Sequence, residues 1–136
     1  PDTGAILRRK KALGLKNVKL LYFLNNESDS YMTPVDYPDL AGEIIFNCEP
    51  DALCVTGAHA GVEARNTMIE KTREKVHHLG VPVFAATGCN ATNIREKLAI
   101  SDGALVGTCL KEGGKFKNHV DLARVKEFMS QARAGA

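Results

Sequence analysis

Hydrophobic positions along the chain gather into four short runs separated by longer amphipathic stretches. The runs cover residues 18–24, 52–56, 81–86 and 104–108. Each is nearly continuous in apolar character, which predicts strands buried on both faces of a parallel sheet. Pro82 falls near the start of its run, where the missing N–H matters least. Helical spacing fills the gaps. Residues 5–14 read as a basic helix ended by Gly14. From Pro38 a helix carries Leu40, Ile44, Ile45 and Cys48 on one face. Residues 66–79 predict a longer helix with Met68, Ile69, Val76 and Leu79 inward, stopped by Gly80. Asn90 or Thr92 is expected to cap a helix through Ile94 and Leu98. Asp121 is expected to cap a last one that turns Leu122, Val125, Phe128 and Met129 inward.

The predicted order is therefore α-β-α-β-α-β-α-β-α. Strands alternating with helices imply βαβ units and an α/β fold with parallel strands. Two strands share a pattern: an Asp leads in (Asp51, Asp102), small and β-branched residues follow, and Gly with Thr ends the run. Glu112-Gly113-Gly114-Lys115 reads as a tight hairpin turn between Leu110 and Asn118.

Composition narrows the function classes. The 136 residues suit a single domain, 1–136, with 44% hydrophobic and 25% charged residues. No apolar run approaches the length of a transmembrane helix. Lys and Arg total 18 against 16 Asp and Glu, a net charge of +2. That balance argues against a nucleic-acid partner, which needs clustered cations. Aromatic residues make up 6% and Trp is missing, so a base-stacking platform for single strands is not expected. Cys48, Cys54, Cys89 and Cys109 form no C-x-x-C, so they read as reduced, structural thiols rather than a disulfide or zinc set. A cytoplasmic protein, or one in an organelle interior after loss of a targeting segment, is expected. The chain begins at Pro1 rather than Met, which leaves room for a preceding segment.

The stretch 86–94 is the most informative for chemistry. It leaves a strand, turns on Gly88 and enters a helix, a geometry that aims backbone N–H groups at an anion. Gly88, Cys89 and Asn90 are the candidates there. Gly107 and Thr108, ending the next strand, would add donors beside them. Loops after the last two strands of (β/α)8 barrels commonly hold phosphate. The competing reading is that these glycines only satisfy turn geometry. Thr56 and Gly57 end another strand and are candidates for further ligand contacts. His59 follows them at the carboxyl edge of the sheet, where proton transfer is feasible. Glu27 and Asp29 follow the first strand, and Glu27 is the second proton-transfer candidate. Their alternative is a solvated polar loop. Lys111, Lys115 and Lys117 flank the hairpin and read first as exposed lysines, with a phosphate tail as the other option. No metal site and no cofactor are expected. The dinucleotide, P-loop, α/β-hydrolase and zinc-protease motifs are all missing.

The run 51–57, then 81–83 through 87–94, then 101–111 with Gly114 and Lys115, and finally 118–129, resembles the BtpA/SgcQ family. The match is close over residues 50–130 and looser before. The resemblance implies a (β/α)8 TIM barrel of about 250 residues, of which this chain is the carboxyl-terminal half, strands five to eight. It places Thr56 and Gly57 after strand six, Gly88, Cys89 and Asn90 after strand seven, and Gly107 and Thr108 after strand eight. Members are associated with photosystem I biogenesis in cyanobacteria, and many others have no settled activity. The chain departs from the family pattern at three places. Thr87 stands where Ser is usual, His119 where Pro is usual, and Asn25-Asn26-Glu27 where Lys or His tends to follow strand five.

Four strands do not close an eight-stranded barrel, and a half barrel leaves two bare edges and an open apolar face. A missing barrel half or a homo-oligomer is therefore the expected partner. The expected function is the binding of a phosphorylated small molecule at the carboxyl ends of the strands, as a metabolic enzyme of unassigned reaction. The alternative is a non-catalytic assembly or biogenesis factor, or a structural subunit of a larger complex.

Overall fold

The structure is a computed structural model and describes residues 2–26, 31–57 and 62–134. It holds α1 (Thr3–Ala12), β1 (Leu21–Phe23), α2 (Tyr37–Cys48), β2 (Ala52–Val55), α3 (Asn66–Val76), β3 (Val83–Ala86), α4 (Ile94–Ile100), β4 (Gly103–Leu105) and α5 (Leu122–Arg133). The four strands form one sheet in the order β1-β2-β3-β4, and every neighbouring pair is parallel. This α/β arrangement is compatible with half of a barrel. The strands are shorter than the apolar runs, because the runs include the loop residues that enter and leave the sheet.

Alternation along the strands separates two faces. Leu53, Val55, Val83 and Ala85 point into the helical layer, where they join Ile69, Val76, Ile94 and Phe128 in one core. The opposite face carries a row set by the register Phe23↔Cys54↔Phe84↔Gly103. Large and small side chains alternate along this row. The Phe84 ring lies over Gly103, where an added Cβ would sit 2.9 Å from it. Two phenyl groups thus flank Cys54 and seal it from water.

Burial on both faces holds only in the middle of the sheet. All four residues of β2 are buried, but Leu21 and Phe23 of β1 are 39% and 50% exposed, and Leu105 of β4 is 37% exposed. Each outer strand has one neighbour and no layer over its second face, so its apolar residues meet solvent. The expectation for the last helix also needs correcting. Phe128 is buried, but Leu122 is 67% exposed and Met129 is 37% exposed.

The repeated Asp has a definite task. The Asp51 carboxylate accepts from the Leu20 amide at 2.8 Å, and the Asp51 amide donates to the Leu20 carbonyl. Asp102 makes the same pair of bonds with Val83. Each Asp thus continues the ladder beyond the entry of the neighbouring strand, through a side chain. A cation braces each one: Lys19 at 2.9 Å from Asp51, and Arg73 at 2.9 Å from Asp102.

Helix ends follow the expected chemistry in most places. Asp121 accepts from the Ala123 and Arg124 amides at the start of α5. Gly80, at φ 72°, ends the 3-10 turn His77–Leu79 that follows α3. Helix α4 differs. Its N-cap is Asn93, which makes no side-chain capping bond, and Thr92 does not cap it. The Asn90 side chain organises the turn one step earlier. The segment 110–121 folds back as expected, around an isolated antiparallel bridge between Lys111 and Val120. No helix among the described residues is long and apolar enough to cross a membrane.

Candidate functional site

The loop after β3 is built on two residues in the left-handed region, Thr87 at φ 67° and Gly88 at φ 68°. For a β-branched residue that conformation is an outlier, costing on the order of 1–3 kcal/mol. The Thr87 hydroxyl holds it there. It accepts from the Gly57 amide at 2.8 Å and donates to the Val62 carbonyl at 2.8 Å. Gly88 is needed for space as well as for its dihedral. A Cβ there would lie 2.4 Å from the Glu63 backbone. The chain following β2 is therefore pressed directly onto the β3 loop.

Beyond Gly88 the polar side chains close on one another. The Asn90 side-chain oxygen Oδ1 accepts from the Thr92 amide, the Thr92 hydroxyl and the Asn93 amide. The Asn93 side chain returns a bond to the Asn90 amide at 2.8 Å and donates to Glu63 at 2.6 Å. Lys97, on α4, supports this from below. It is 1% exposed and donates to the Ala64 carbonyl at 2.6 Å and the Asn66 side chain at 2.5 Å, with Glu63 at 3.8 Å. A buried ammonium persists only when its donors are matched, and these three oxygens match them. Sequence reading did not single out Lys97 or Glu63. Lys97 sits three residues after Ile94 and so on the same inward face of the helix, but its residue type suggests solvent exposure.

The loops after β3 and β4 meet in one cleft of about 460 Å³. Gly88, Cys89, Asn90, Gly107 and Thr108 all line it, so five residues read separately from the sequence share one wall. Among the described residues, no hydrogen bond draws on the amides of Gly88, Cys89, Gly107 or Thr108. Among the described residues two cations line the cleft as well, Arg124 and Lys111, and no carboxylate does. Arg124 comes from the first turn of α5. Its Nε donates to the Cys109 carbonyl at 2.7 Å, which fixes the guanidinium over the 3-10 turn Thr108–Leu110. A cation in a helix's first turn opposes the macrodipole, at a cost of roughly 0.3–1 kcal/mol. The Lys111 ammonium donates to the Phe116 carbonyl and lies 4.6 Å from the centroid of the Phe116 ring. Arg124 escaped sequence reading because its partners are non-local, and Lys111 was read first as an exposed lysine.

The cleft thiols are protonated at neutral pH. Burial pushes Cys89 up to about 11, and Cys109 is also raised, chiefly by burial. They act as soft apolar wall rather than as nucleophiles. Cys54, flanked by its two phenyl groups, is likewise pushed up to about 11.

Thr56 and Gly57 stand one strand away and do not line this cleft. Thr56 is buried, and its backbone and hydroxyl all bond to Asn25. The Gly57 amide is taken by Thr87. His59 and Glu27, the proton-transfer candidates, lie outside the described residues, as does Asp29. Among the described residues no cluster of His, Cys, Asp and Glu is arranged to hold a metal ion.

A family model for the BtpA family matches residues 1–134. The chain belongs to the BtpA family. One similar protein is the putative sgc region protein SgcQ of Escherichia coli, 35% identical across 96% of this chain and 48% of its own length. Another is an uncharacterised mitochondrial protein of Caenorhabditis elegans, 29% identical across 93% of this chain and 44% of its own. An uncharacterised Pyrococcus abyssi protein is 40% identical over 54% of the chain. The chain thus spans about half the length of the curated relatives it matches most fully. No solved structure matches it.

Two departures from the BtpA/SgcQ pattern now have a physical account. Thr87 in place of Ser keeps the hydroxyl that makes both bonds across the loop, while its β-branch adds backbone strain at a left-handed φ. Asn25, where a basic residue tends to stand, uses its side-chain oxygen and nitrogen on the Thr56 amide and carbonyl. It prolongs the pairing of β1 with β2 as a peptide group would. That side chain is committed to structure.

Proposed function

We propose that this BtpA-family chain binds a phosphorylated small molecule in the cleft between the Gly88 and Gly107 loops. The observation that carries the reading is the lining itself. Among the described residues, four whose amides have no partner line the cleft together with an Arg and a Lys, and no carboxylate lines it. Such a wall favours a compact multivalent anion, because each N–H gains a charge-assisted partner and Arg offers a planar fork. The loop that carries the Gly88 and Cys89 amides is held in place before a ligand arrives, by Thr87, Asn90 and Asn93. The same reading treats 1–136 as one half-domain of a (β/α)8 barrel, with this cleft at the carboxyl ends of the strands. The consecutive parallel order supports it, and so does the length of the relatives. His59 and Glu27 are its candidates for proton transfer, each to be tested by a Gln substitution once a turnover assay exists.

Titration with inorganic phosphate, followed by isothermal calorimetry or amide NMR shifts, tests the binding step. Saturable shifts at Gly88, Cys89, Gly107 and Thr108 are expected. Arg124→Met should weaken binding about tenfold or more, since a hydrogen bond to a charged group contributes ~1.5–3 kcal/mol. Shifts spread over surface lysines, with Arg124→Met unchanged, would refute the reading.

A second reading rests on a different observation, the open apolar face of β1 and β4 with its bare edges. An assembly factor or structural subunit would bury that face against a partner, a second copy or a complementary barrel half. Light scattering on the purified chain tests it. A lasting monomer that shows no affinity for apolar surfaces would count against it.

A further inference from the structure

The cleft is larger than a phosphate needs, and the chemistry of the remaining space is uneven. A phosphate group displaces on the order of three or four waters at about 30 Å³ each, against a cleft of about 460 Å³. The excess is bounded by Leu105, Val106 and Phe116. Phe116 is 71% exposed, although it lines a cavity. Its ring is oriented by Lys111, which bonds to its carbonyl and places the ammonium 4.6 Å from the ring centroid. An exposed phenyl with one face occupied by a cation presents the other to whatever enters.

A polyol would find little here. The Asn90 side chain is spent on Thr92, Asn93 and Gly88, and the Thr87 hydroxyl is spent on Gly57 and Val62. Among the described residues no carboxylate lines the cleft to accept from sugar hydroxyls, and the Thr108 hydroxyl is the one side-chain hydroxyl left to do so. A flat apolar ring loses nothing by this and gains the face of Phe116. Resting on the phosphate reading above, we propose that the ligand is a phosphate ester carrying a planar aromatic ring, of the nucleoside monophosphate type, with its phosphate on the Gly88–Gly107 wall and its ring stacked on Phe116.

The test compares inorganic phosphate, ribose 5-phosphate and adenosine 5′-monophosphate by calorimetry on the 136-residue chain and on Phe116→Ala. Adenosine monophosphate is expected to bind about tenfold or more tighter than ribose 5-phosphate, within the range that base-on-aromatic stacking supplies. Phe116→Ala should remove that preference while inorganic phosphate still binds, which also shows that the variant is folded. Equal affinity for the two esters, or a preference that survives Phe116→Ala, would overturn this inference and leave the phosphate reading standing. Failure of inorganic phosphate to bind or to compete would overturn both.

Discussion

Gly88→Ala probes the contact on which the site's geometry depends. The residue sits at φ 68°, and a Cβ built there falls 2.4 Å from both the Cα and the amide nitrogen of Glu63. The neighbour is backbone, so no side-chain rotation relieves the overlap. A left-handed dihedral costs a non-glycine residue roughly 1–2 kcal/mol. Forcing a methyl into close-packed backbone adds about 1–3 kcal/mol. The combined loss is about 2–5 kcal/mol. With an unfolding entropy of roughly 2.1 cal/mol/K per residue, that lowers the melting temperature by about 7–18 °C. Gly107→Ala is the matched control. Gly107 has φ −144°, and an added Cβ meets nothing within 4 Å. Its melting temperature should stay within about 2 °C of the parent, as for surface changes near 0.5 kcal/mol or less. Its methyl would enter the cleft, so phosphate affinity should fall while stability holds. Differential scanning calorimetry on both variants, beside phosphate titration, separates the two glycines. If Gly88→Ala melted with the parent, the Glu63 segment would not be packed on the β3 loop, and the preorganised amides would lose their basis.

Other consequences concern charge, thiols and the open face. Asp51 is held below the usual carboxylate range, first by the Leu20 amide and then by Lys19. The unfolded chain therefore binds more protons in that window, so stability rises with pH there. The contribution is present above the ordinary Asp value near ~4 and is lost as pH falls through the depressed one. Urea midpoints of the parent and Asp51→Asn should differ at pH 6 and converge towards pH 2, and a constant gap would refute this. Cys54 and Cys89, both pushed up to about 11, should resist iodoacetamide at pH 7.5 and react quickly in urea, read by mass spectrometry. Fast native labelling of either would contradict their burial. Phe23, half exposed on the open face, should support binding of an apolar dye under native conditions. Phe23→Asp should reduce the dye's fluorescence with a melting shift of only a few degrees, and unchanged fluorescence would show that this face is not what the dye meets.

Element type and order were legible in the sequence because period and punctuation agreed. The apolar runs were short, those at 52–56 and 104–108 followed an Asp and ended with Gly and Thr, and Gly80 and Asp121 closed or opened helices as their chemistry dictates. The repeat around Asp51 and Asp102 was visible as a pattern, but its meaning was not. Each carboxylate acts on a neighbouring strand, 31 residues away for Leu20 and 19 for Val83. The cleft's glycines could be read because a turn after a strand constrains residue type locally. Its cations could not. Arg124 reaches the carbonyl of Cys109 across the whole 110–121 excursion, and Lys97 meets Ala64 and Asn66 across α3 and β3. Local spacing carries no trace of either. The inward facing of Leu122 and Met129 failed for a related reason. Helical period identifies an apolar stripe, but only the neighbours decide how much of that stripe is covered.

The two open questions about the chain fall on different parts of its surface. Every described residue that lines the cleft lies between Thr87 and Arg124, on the loops after β3 and β4 and the start of α5. At the other edge Leu21 and Phe23 of β1 are uncovered, and on the open face of the sheet Leu105 is both exposed and part of the cleft. The supports of the cleft, Thr87, Asn93, Glu63 and Lys97, all bond within residues 57–97. A partner that closes over β1 would therefore bury Phe23 without supplying a support that the amides lack. Through Leu105 it could tighten one wall. Anion binding should then be measurable on this chain alone, and adding a closing partner should change ring selectivity more than phosphate affinity. A phosphate affinity that appeared only with the partner would place the decisive donors outside this half.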